Sequence, residues 1–450
     1  MTLPPKPESR PAKVSLWRYA KLFRQDILSA QPARLYRAWM AEFKTPFFRS
    51  YLINQPDLIQ TVLKTRPDDY PKSNRIGEGL RPLLGNSVFL TNGETWKRQR
   101  RIIDPAFEGG RLRETFPAIW DAAEAAAARL APHDGEPLEA EAQTSHAAAD
   151  VIFRTLFSIP IEHHMAREVF DEFKTYQRSQ PILNIAAFVP LPRWLPRLFR
   201  QDTKRSAAKI RQLITALTAE RMEAIKAGTA PDDLATKIMT TPDPEDGSTF
   251  TTEEMVDQVA IFFLAGHETS ASALAWAMYL VATHPDWQDR LAKEAQVIDQ
   301  CDFAVMGKLK QSRDVFREAL RLYPPVPMMV REASCPATFR DRQVARGAQV
   351  VISPWHLHRH ERLWDNPDGF DPARWHSENG KKCQREAYLP FSAGARVCPG
   401  AGFAMVEGPL ILSRILRDYR IEVVGEKPPV PVAHLTVRSK DGILLRFVRR

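Results

Sequence analysis

Apolar residues recur at helical spacing along most of this chain, and the longest such signal runs from Thr252 to Thr283. It opens on Thr-Thr-Glu-Glu, a hydroxyl cap followed by acids that suit the positive end of a helix dipole. It stops at His284-Pro285, because proline cannot continue a helix. Roughly 30 residues of helix span about 45 Å. A helix of that length needs partners on nearly every side, which argues for one large α-rich unit. Further helical patterns cover Pro56–Lys64, the basic segment Gly93–Ile103, Ala-rich stretches through Ser158 and segments to Gly228. Asp286–Gln300, Lys310–Leu322 and Ala401–Asp418 follow. Strand-like runs are short: Thr45–Ile53, Val344–Ser353, and a C-terminal part with Leu435-Thr436-Val437 and Gly442–Phe447. Ser73–Leu90 and roughly 40 residues before Cys398 read as loops, and a loop of the latter length is uncommon and usually functional. The pattern predicts a mainly α fold with a small β region. A flexible, Pro-rich arm (1–25) precedes a single domain (26–450).

Composition narrows the classes. The chain has 450 residues, 44% hydrophobic and 26% charged, an ordinary globular balance that excludes disorder. Only 20 glycines against 36 prolines argue against an all-β fold, which needs many tight hairpins. The net charge of +9 permits an anionic cofactor or acidic partner, and no nucleic-acid motif accompanies it. The N-terminus lacks an apolar signal core, and no run approaches the ~20 apolar residues of a membrane span. The four cysteines form neither a C-x-x-C pair nor a secretory framework. These features predict a cytoplasmic monomer with no membrane anchor and no nucleic-acid partner.

The chemistry concentrates at Phe391–Gly400, FSAGARVCPG. Cys398 sits between a Gly-bearing turn and a helix start, where backbone N–H groups and the helix dipole favour a thiolate. Arg396 adds positive charge, Gly394 and Gly400 let the backbone approach a flat ligand, and Phe391 can shield the sulfur. A lone cysteine beside a helix is more often a buried thiol than a ligand, but the pattern F-x-x-G-x-R-x-C-x-G is far more restrictive. It resembles the haem-binding loop of the cytochrome P-450 superfamily, the haem-thiolate monooxygenases. The resemblance covers about residues 30–450. It implies the family's helical prism around a buried haem b, with Cys398 as the axial ligand of the iron.

Other segments match the same family. Ala265-Gly266-His267-Glu268-Thr269 on the long helix resembles its oxygen-activation motif. Ala265 and Gly266 then leave room for dioxygen, Thr269 donates a hydrogen bond there, and Glu268 relays protons. Glu318-x-x-Arg321 resembles the family's E-x-x-R, locked to a later arginine that Arg374 supplies. Trp96, Arg100, Arg331 and Arg396 are implied as partners of the haem propionates, since the guanidinium fork suits carboxylates. His356-x-His358-x-His360 has zinc-like alternation, but no carboxylate or cysteine completes a set. His358-Arg359 matches a His-Arg pair that the family uses structurally.

The resemblance implies insertion of one atom of O2 into a hydrophobic organic substrate. Ile261, Leu264, Val326, Met328, Met329 and Leu435 are expected to face that substrate, beneath a lid of Ser73–Leu90 and Gln177–Trp194. All are apolar. Asn92-Gly93-Glu94-Thr95-Trp96 departs from the Asp-Pro-Pro-x-His of many soluble bacterial members and is more similar to fatty-acid hydroxylases, pointing to fatty acids or terpenoids. Electrons are expected from a separate ferredoxin or flavodoxin with an NAD(P)H reductase, docking near Lys97, Arg98, Arg101, Lys381, Lys382 and Arg385. The alternatives are a peroxide-using or rearranging haem-thiolate enzyme, disfavoured by the Glu268-Thr269 pair, and a non-enzymatic haem sensor.

Overall fold

Helices dominate the computed structural model, which describes residues 3–44, 49–77, 79–179, 201–433 and 435–450. The predicted mainly α fold with a small β region is the fold observed. The chain forms two units. One takes residues 1–71, 123–147 and 269–450, and the other residues 72–122 and 148–268. The long helix, Thr252–Ala282, passes from one to the other between Glu268 and Thr269.

The first unit carries the β structure. A four-stranded sheet is ordered Met40–Lys44, Arg49–Ile53, Gln349–Ile352, Met329–Glu332. Its first pair is antiparallel with Met40 opposite Ile53. The middle pair is parallel with Tyr51 opposite Val350, and the last pair antiparallel with Arg331 opposite Val350. Tyr51, Ile53, Val350 and Ile352 bury their side chains against Leu63, Trp364 and Trp375. Of the single strand predicted at Thr45–Ile53, Arg49–Ile53 is observed as strand, paired with an earlier one, Met40–Lys44; residues 45–48 lie outside the described residues. In the C-terminal strand, Leu444–Arg449, Leu445 and Phe447 are buried while Leu444 is exposed, the period of two that a half-covered sheet requires.

Gly93–Ile103, Lys310–Leu322 and Ala401–Asp418 were legible at about their observed bounds. Lys310–Leu322 ends at Tyr323-Pro324, and Ala401–Asp418 follows the cysteine loop. They pack closely at Gly408, where a Cβ would lie 2.2 Å from the Phe316 ring, so only glycine admits that ring. The predicted loop before Cys398 instead holds a nine-residue helix, Glu378–Glu386, capped by Ser377. Its faces are mostly polar, so no apolar periodicity announces it. The predicted arm contains a helix too, Leu16–Gln25, and is tied down by contacts. The Arg10 backbone N–H donates to Ser29 O at 3.1 Å, Tyr323 Oη donates to Pro5 O at 2.9 Å, and Lys6 pairs with Asp368.

The second unit is helical. His164–Ser179 packs along Gln201–Lys226, and Phe153, Phe157 and Phe173 surround Phe263 of the long helix. Ser73–Leu90, predicted as a loop, carries two short helices, Asn74–Gly77 and Arg81–Leu84. Of the second predicted lid segment, residues 180–194 lie outside the described residues.

A buried ionic cluster fixes the first unit's approach to Cys398. Glu318 and Arg321 are one helical turn apart. Arg321 clasps the carboxylate with both Nε (2.9 Å) and Nη2 (2.8 Å), and Arg374 Nε reaches Glu318 Oε1 at 2.9 Å. Arg321 also donates to the carbonyls of His358 (2.9 Å), Pro367 (2.6 Å) and Gly369 (2.8 Å). Arg374 donates to those of Asp365 (2.7 Å), Asn366 (3.0 Å) and Gly369 (3.1 Å). Burial opposes ionisation of Glu318, but the two guanidiniums outweigh it and hold the carboxyl below its ordinary range. This contribution to stability is therefore present at neutral pH and lost as pH falls through the folded pKa. Arg374→Ala removes one of the two cations that answer a buried carboxylate and takes the side-chain donor from the Asp365 carbonyl. It is expected to lower the unfolding free energy by about 3–5 kcal/mol, read as a fall in the urea or thermal midpoint. Arg374→Lys keeps the charge but loses the fork and recovers only part. An unchanged midpoint in Arg374→Ala would remove the cluster from the stability of the fold.

Candidate active site

Cys398 lies in a turn whose shape is set by backbone contacts. Its N–H donates to Phe391 O at 3.0 Å, and Val397 N–H to Gly394 O at 3.0 Å. Gly394 has φ +69°, and a Cβ there would lie 1.9 Å from Leu63 O, so glycine is required twice over. Gly400 has an ordinary φ of −79°, and its missing Cβ would sit 3.9 Å from the Cys398 sulfur. The helix Ala401–Asp418 begins directly after it. Its unsatisfied N–H groups and dipole thus favour negative charge on the sulfur. Cys398 is exposed and in no disulfide. Phe391 and Arg396 are half-buried beside it.

The long helix gives a second element. From Met255 to Val281 every residue is buried except Phe262, Ala265, Gly266 and Thr269. These are spaced i, i+3, i+4, i+7, one stripe of the helix. Ala265 and Thr269 therefore sit where the packed helix opens. Gly266 behaves otherwise than its predicted role, since its missing Cβ is directed at Ile152, 2.3 Å away, and serves helix packing. Glu268 is buried, as are Ile261 and Leu264. Ser270, beside Thr269, donates to the buried carboxyl of Glu407. Burial pushes Glu407 up to about 7, against the pull of that hydrogen bond. Sequence reasoning missed this pair. Its one signal is an acid inside the apolar run Val406–Leu412, nine positions after Cys398.

Arg331 is the clearest cation. It is buried on the sheet strand, and among the described residues no carboxylate pairs with it. Burial alone draws its guanidinium down to about 10. A buried cation of this kind calls for an anion that the protein does not supply. Arg100 differs, because it already pairs with Asp104 at 2.8 Å. Trp96 is half-buried on the same helix, Gly93–Ile103. Val326 and Met328 lead into the Arg331 strand. Val437 N–H donates to Pro325 O at 3.0 Å and its carbonyl accepts from Ser272 Oγ, which brings the Leu435 turn beside Val326. Val326 and Leu435 are about 40% exposed, unusual for large apolar side chains. A cavity of about 580 Å³ in the second unit is lined by polar groups including Thr95, Gln99, Glu254 and Asp257, and by none of the predicted substrate residues.

His356, His358 and His360 are buried around a short helix, Pro354–Leu357, rather than on a strand. Burial drives their pKa values down to about 3, 3 and 4. Among the described residues no group of three metal-ligating side chains forms. The basic docking helix is also partly occupied. Arg98 donates to Glu254 at 2.8 Å and Arg101 to Asp243 at 2.6 Å. Lys381, Lys382 and Arg385 remain exposed on Glu378–Glu386.

The donor set of the first unit fits a haem: a thiol at a helix N-terminus for iron, and a buried guanidinium with no counter-ion among the described residues for a propionate. Comparisons agree. The family model described as Cytochrome P-450 matches residues 34–446. Cyclooctat-9-en-7-ol 5-monooxygenase of Streptomyces melanosporofaciens is 32% identical, covering 91% of this chain and 87% of its own. Cytochrome P-450 4A11 of Homo sapiens is 30% identical, covering 88% of this chain and 78% of its own. A mutant heme domain of cytochrome P-450DA superposes with a TM-score of 0.82 over 100% of this chain and 98% of that one. At 22% identity that likeness speaks for the fold alone. No helix among the described residues is long and apolar enough to cross a membrane. On the match across residues 34–446 and the identities of 30% and more, the chain belongs to the cytochrome P-450 family.

Proposed function

We propose that this chain is a haem b-dependent monooxygenase that hydroxylates a C–H bond of a hydrophobic organic substrate. Members of the family bind haem and work as oxidoreductases on a substrate, O2 and electrons from a redox partner. The observation that carries the reading is Cys398, exposed at the head of an 18-residue helix in a turn clamped by Gly394.

Cys398 would hold the iron, with Phe391 shielding the sulfur and Gly394 and Gly400 leaving the backbone low. Arg331 would take one propionate, and Arg396 and Trp96 would complete the anionic end. Arg100 would contribute by sharing its charge with Asp104. When bound, a thiolate-ligated haem supplies the centre at which O2 is reduced and one oxygen atom is delivered to the substrate. Ala265 leaves space on the helix stripe, Thr269 donates a hydrogen bond into it, and Glu268 passes protons inward. Ile261, Leu264, Val326, Met328 and Leu435 would position the substrate by apolar contact alone, which suits a fatty acid or terpenoid. The relative named for cyclooctat-9-en-7-ol supports a lipophilic substrate. Electrons would come from a separate ferredoxin or flavodoxin and its NAD(P)H reductase. Glu378–Glu386 offers that donor unpaired cations, whereas Arg98 and Arg101 are already engaged.

Three tests follow from these roles. The reduced, CO-treated protein is expected to show the red-shifted Soret band of thiolate-ligated haem, and Cys398→Ala to lose it. An unchanged band would free Cys398 from the iron. Thr269→Ala should still bind haem and consume NADPH through its partners, but release hydrogen peroxide in place of product. Glu268→Gln should slow turnover on the order of 10²-fold. Product and peroxide per NADPH are the readout, and full coupling in Thr269→Ala would favour the peroxide-using or rearranging alternative. Finally, Lys382→Glu with Arg385→Glu should slow haem reduction by an acidic ferredoxin, most at low ionic strength. Indifference to both charge and salt would place the docking surface elsewhere.

A further inference from the structure

The helix Leu16–Gln25 has two unlike faces. Tyr19, Ala20, Leu22 and Phe23 are half-buried. Tyr19 lies 5.7 Å from Phe23, and the Arg10 guanidinium lies 5.4 Å over the Tyr19 ring. That face is spent on the protein, and Arg10 holds the segment in place by donating to Ala30 O at 2.6 Å. The other face carries Trp17, Lys21 and Arg24, spaced i, i+4, i+7, with Arg18 beside them. Trp17 is 88% exposed, the most exposed large apolar side chain among the described residues. A tryptophan is normally directed inward on an amphipathic helix. Here it stands among cations instead.

The charge on this face has one sign. Between Arg10 and Gln25 the sequence holds five basic residues and no acid. Lys13, Arg18, Lys21 and Arg24 are exposed, and none forms an ion pair among the described residues. Cations of one sign suit an acidic protein patch as well as a lipid surface, and the exposed indole among them is what favours lipid. A surface of uniform cations around one indole is matched to a uniform anionic sheet. Indole rings settle at headgroup depth, where their apolar body and N–H are both satisfied. Lysines and arginines nearby gain from anionic phosphates within a Debye length.

We infer that the outer face of Leu16–Gln25 is a peripheral docking surface for an anionic lipid bilayer, with Trp17 inserted at the headgroup level and Lys21 and Arg24 on lipid phosphates. The attachment is reversible, because one aromatic and a few cations fall short of a permanent anchor. It places a protein in which no described helix is long and apolar enough to cross a membrane beside the phase where lipophilic compounds dissolve.

The test uses the full chain and sedimentation with vesicles of phosphatidylcholine alone or with roughly 30% phosphatidylglycerol. The protein should pellet with the anionic vesicles at low ionic strength, stay in solution with the neutral ones, and be released by salt. Trp17→Ser and the pair Lys21→Gln, Arg24→Gln should each weaken the partition, by roughly fivefold per cation removed. Both changes are on an exposed face, and an unaltered reduced-CO spectrum checks that the variants are folded. Failure to pellet with anionic vesicles overturns the inference. So does pelleting that both variants leave unchanged. If the variants keep lipid binding but lose retention of an acidic ferredoxin, the face belongs to a protein and the inference falls.

Discussion

A carboxylate buried without water must be answered by cations, and Glu318 is the group around which the first unit is arranged. It is fully enclosed, so its charge is tolerable only while Arg321 and Arg374 remain in contact. Their spare N–H groups then need acceptors, and six carbonyl contacts to His358, Asp365, Asn366, Pro367 and Gly369 provide them. The chain between residues 358 and 374 is thereby wound around one ion cluster. The constraint continues toward the cysteine. The His358 ring, kept neutral by burial and by nearby Arg321, accepts the Leu389 N–H at 2.8 Å through Nε2. Two residues on, Phe391 O accepts from Cys398 N–H. An acid on one helix is thus linked to a sulfur eighty positions away by successive hydrogen bonds and the short backbone step from Leu389 to Phe391.

The same rule explains the opposite case. Arg331 is as enclosed as Arg374, yet no carboxylate answers it among the described residues. A fold that satisfies Glu318 so completely would not leave a guanidinium stranded unless a ligand completes it. The helix stripe at Ala265 and Thr269 reads likewise. On a helix enclosed through most of Met255–Val281, Phe262 packs on Phe107 and Gly266 on Ile152, which leaves Ala265 and Thr269 as the less buried positions of that stripe. Positions left less buried on a packed helix forgo contacts, and stability is commonly given up where function needs space.

Much of this was legible in the sequence, and the misses have physical causes. Lys310–Leu322 and Ala401–Asp418 were read at their observed bounds because proline and the cysteine turn punctuate them. The cysteine loop was legible because spacing carries its chemistry. Met329–Glu332 was missed, since a four-residue strand is defined by its neighbour Gln349–Ile352 and not by its own pattern. The helix Glu378–Glu386 was missed because it hides little apolar surface, although Ser377 accepting from Gly380 N–H was a readable cap. Gly266 looked like room for a ligand, but only the position of Ile152 shows where the absent Cβ would point. Glu407 was invisible as a partner of Ser270 because 137 residues separate them.

Net charge was the least transferable of the sequence quantities. A total of +9 suggests a basic docking surface, and the densest cluster lies in Gly93–Ile103. Yet Arg98 bonds Glu254, Ser248 Oγ and Thr249 O, and Arg101 bonds Asp243 and Glu245. Those cations close the second unit and contribute little field to solvent, because each sits against an opposite charge within 3 Å. The field that a partner meets comes from cations that are exposed and in no ion pair among the described residues, and Glu378–Glu386 and Leu16–Gln25 each carry a group of them. The two differ in what accompanies the charge. Glu378–Glu386 has acids at both of its ends and no exposed aromatic, which suits the mixed surface of a small acidic protein. Leu16–Gln25 has no acid and an exposed indole, which suits lipid. Spatial bookkeeping of which cations are already answered, rather than their count, separates structural charge from charge available for recognition.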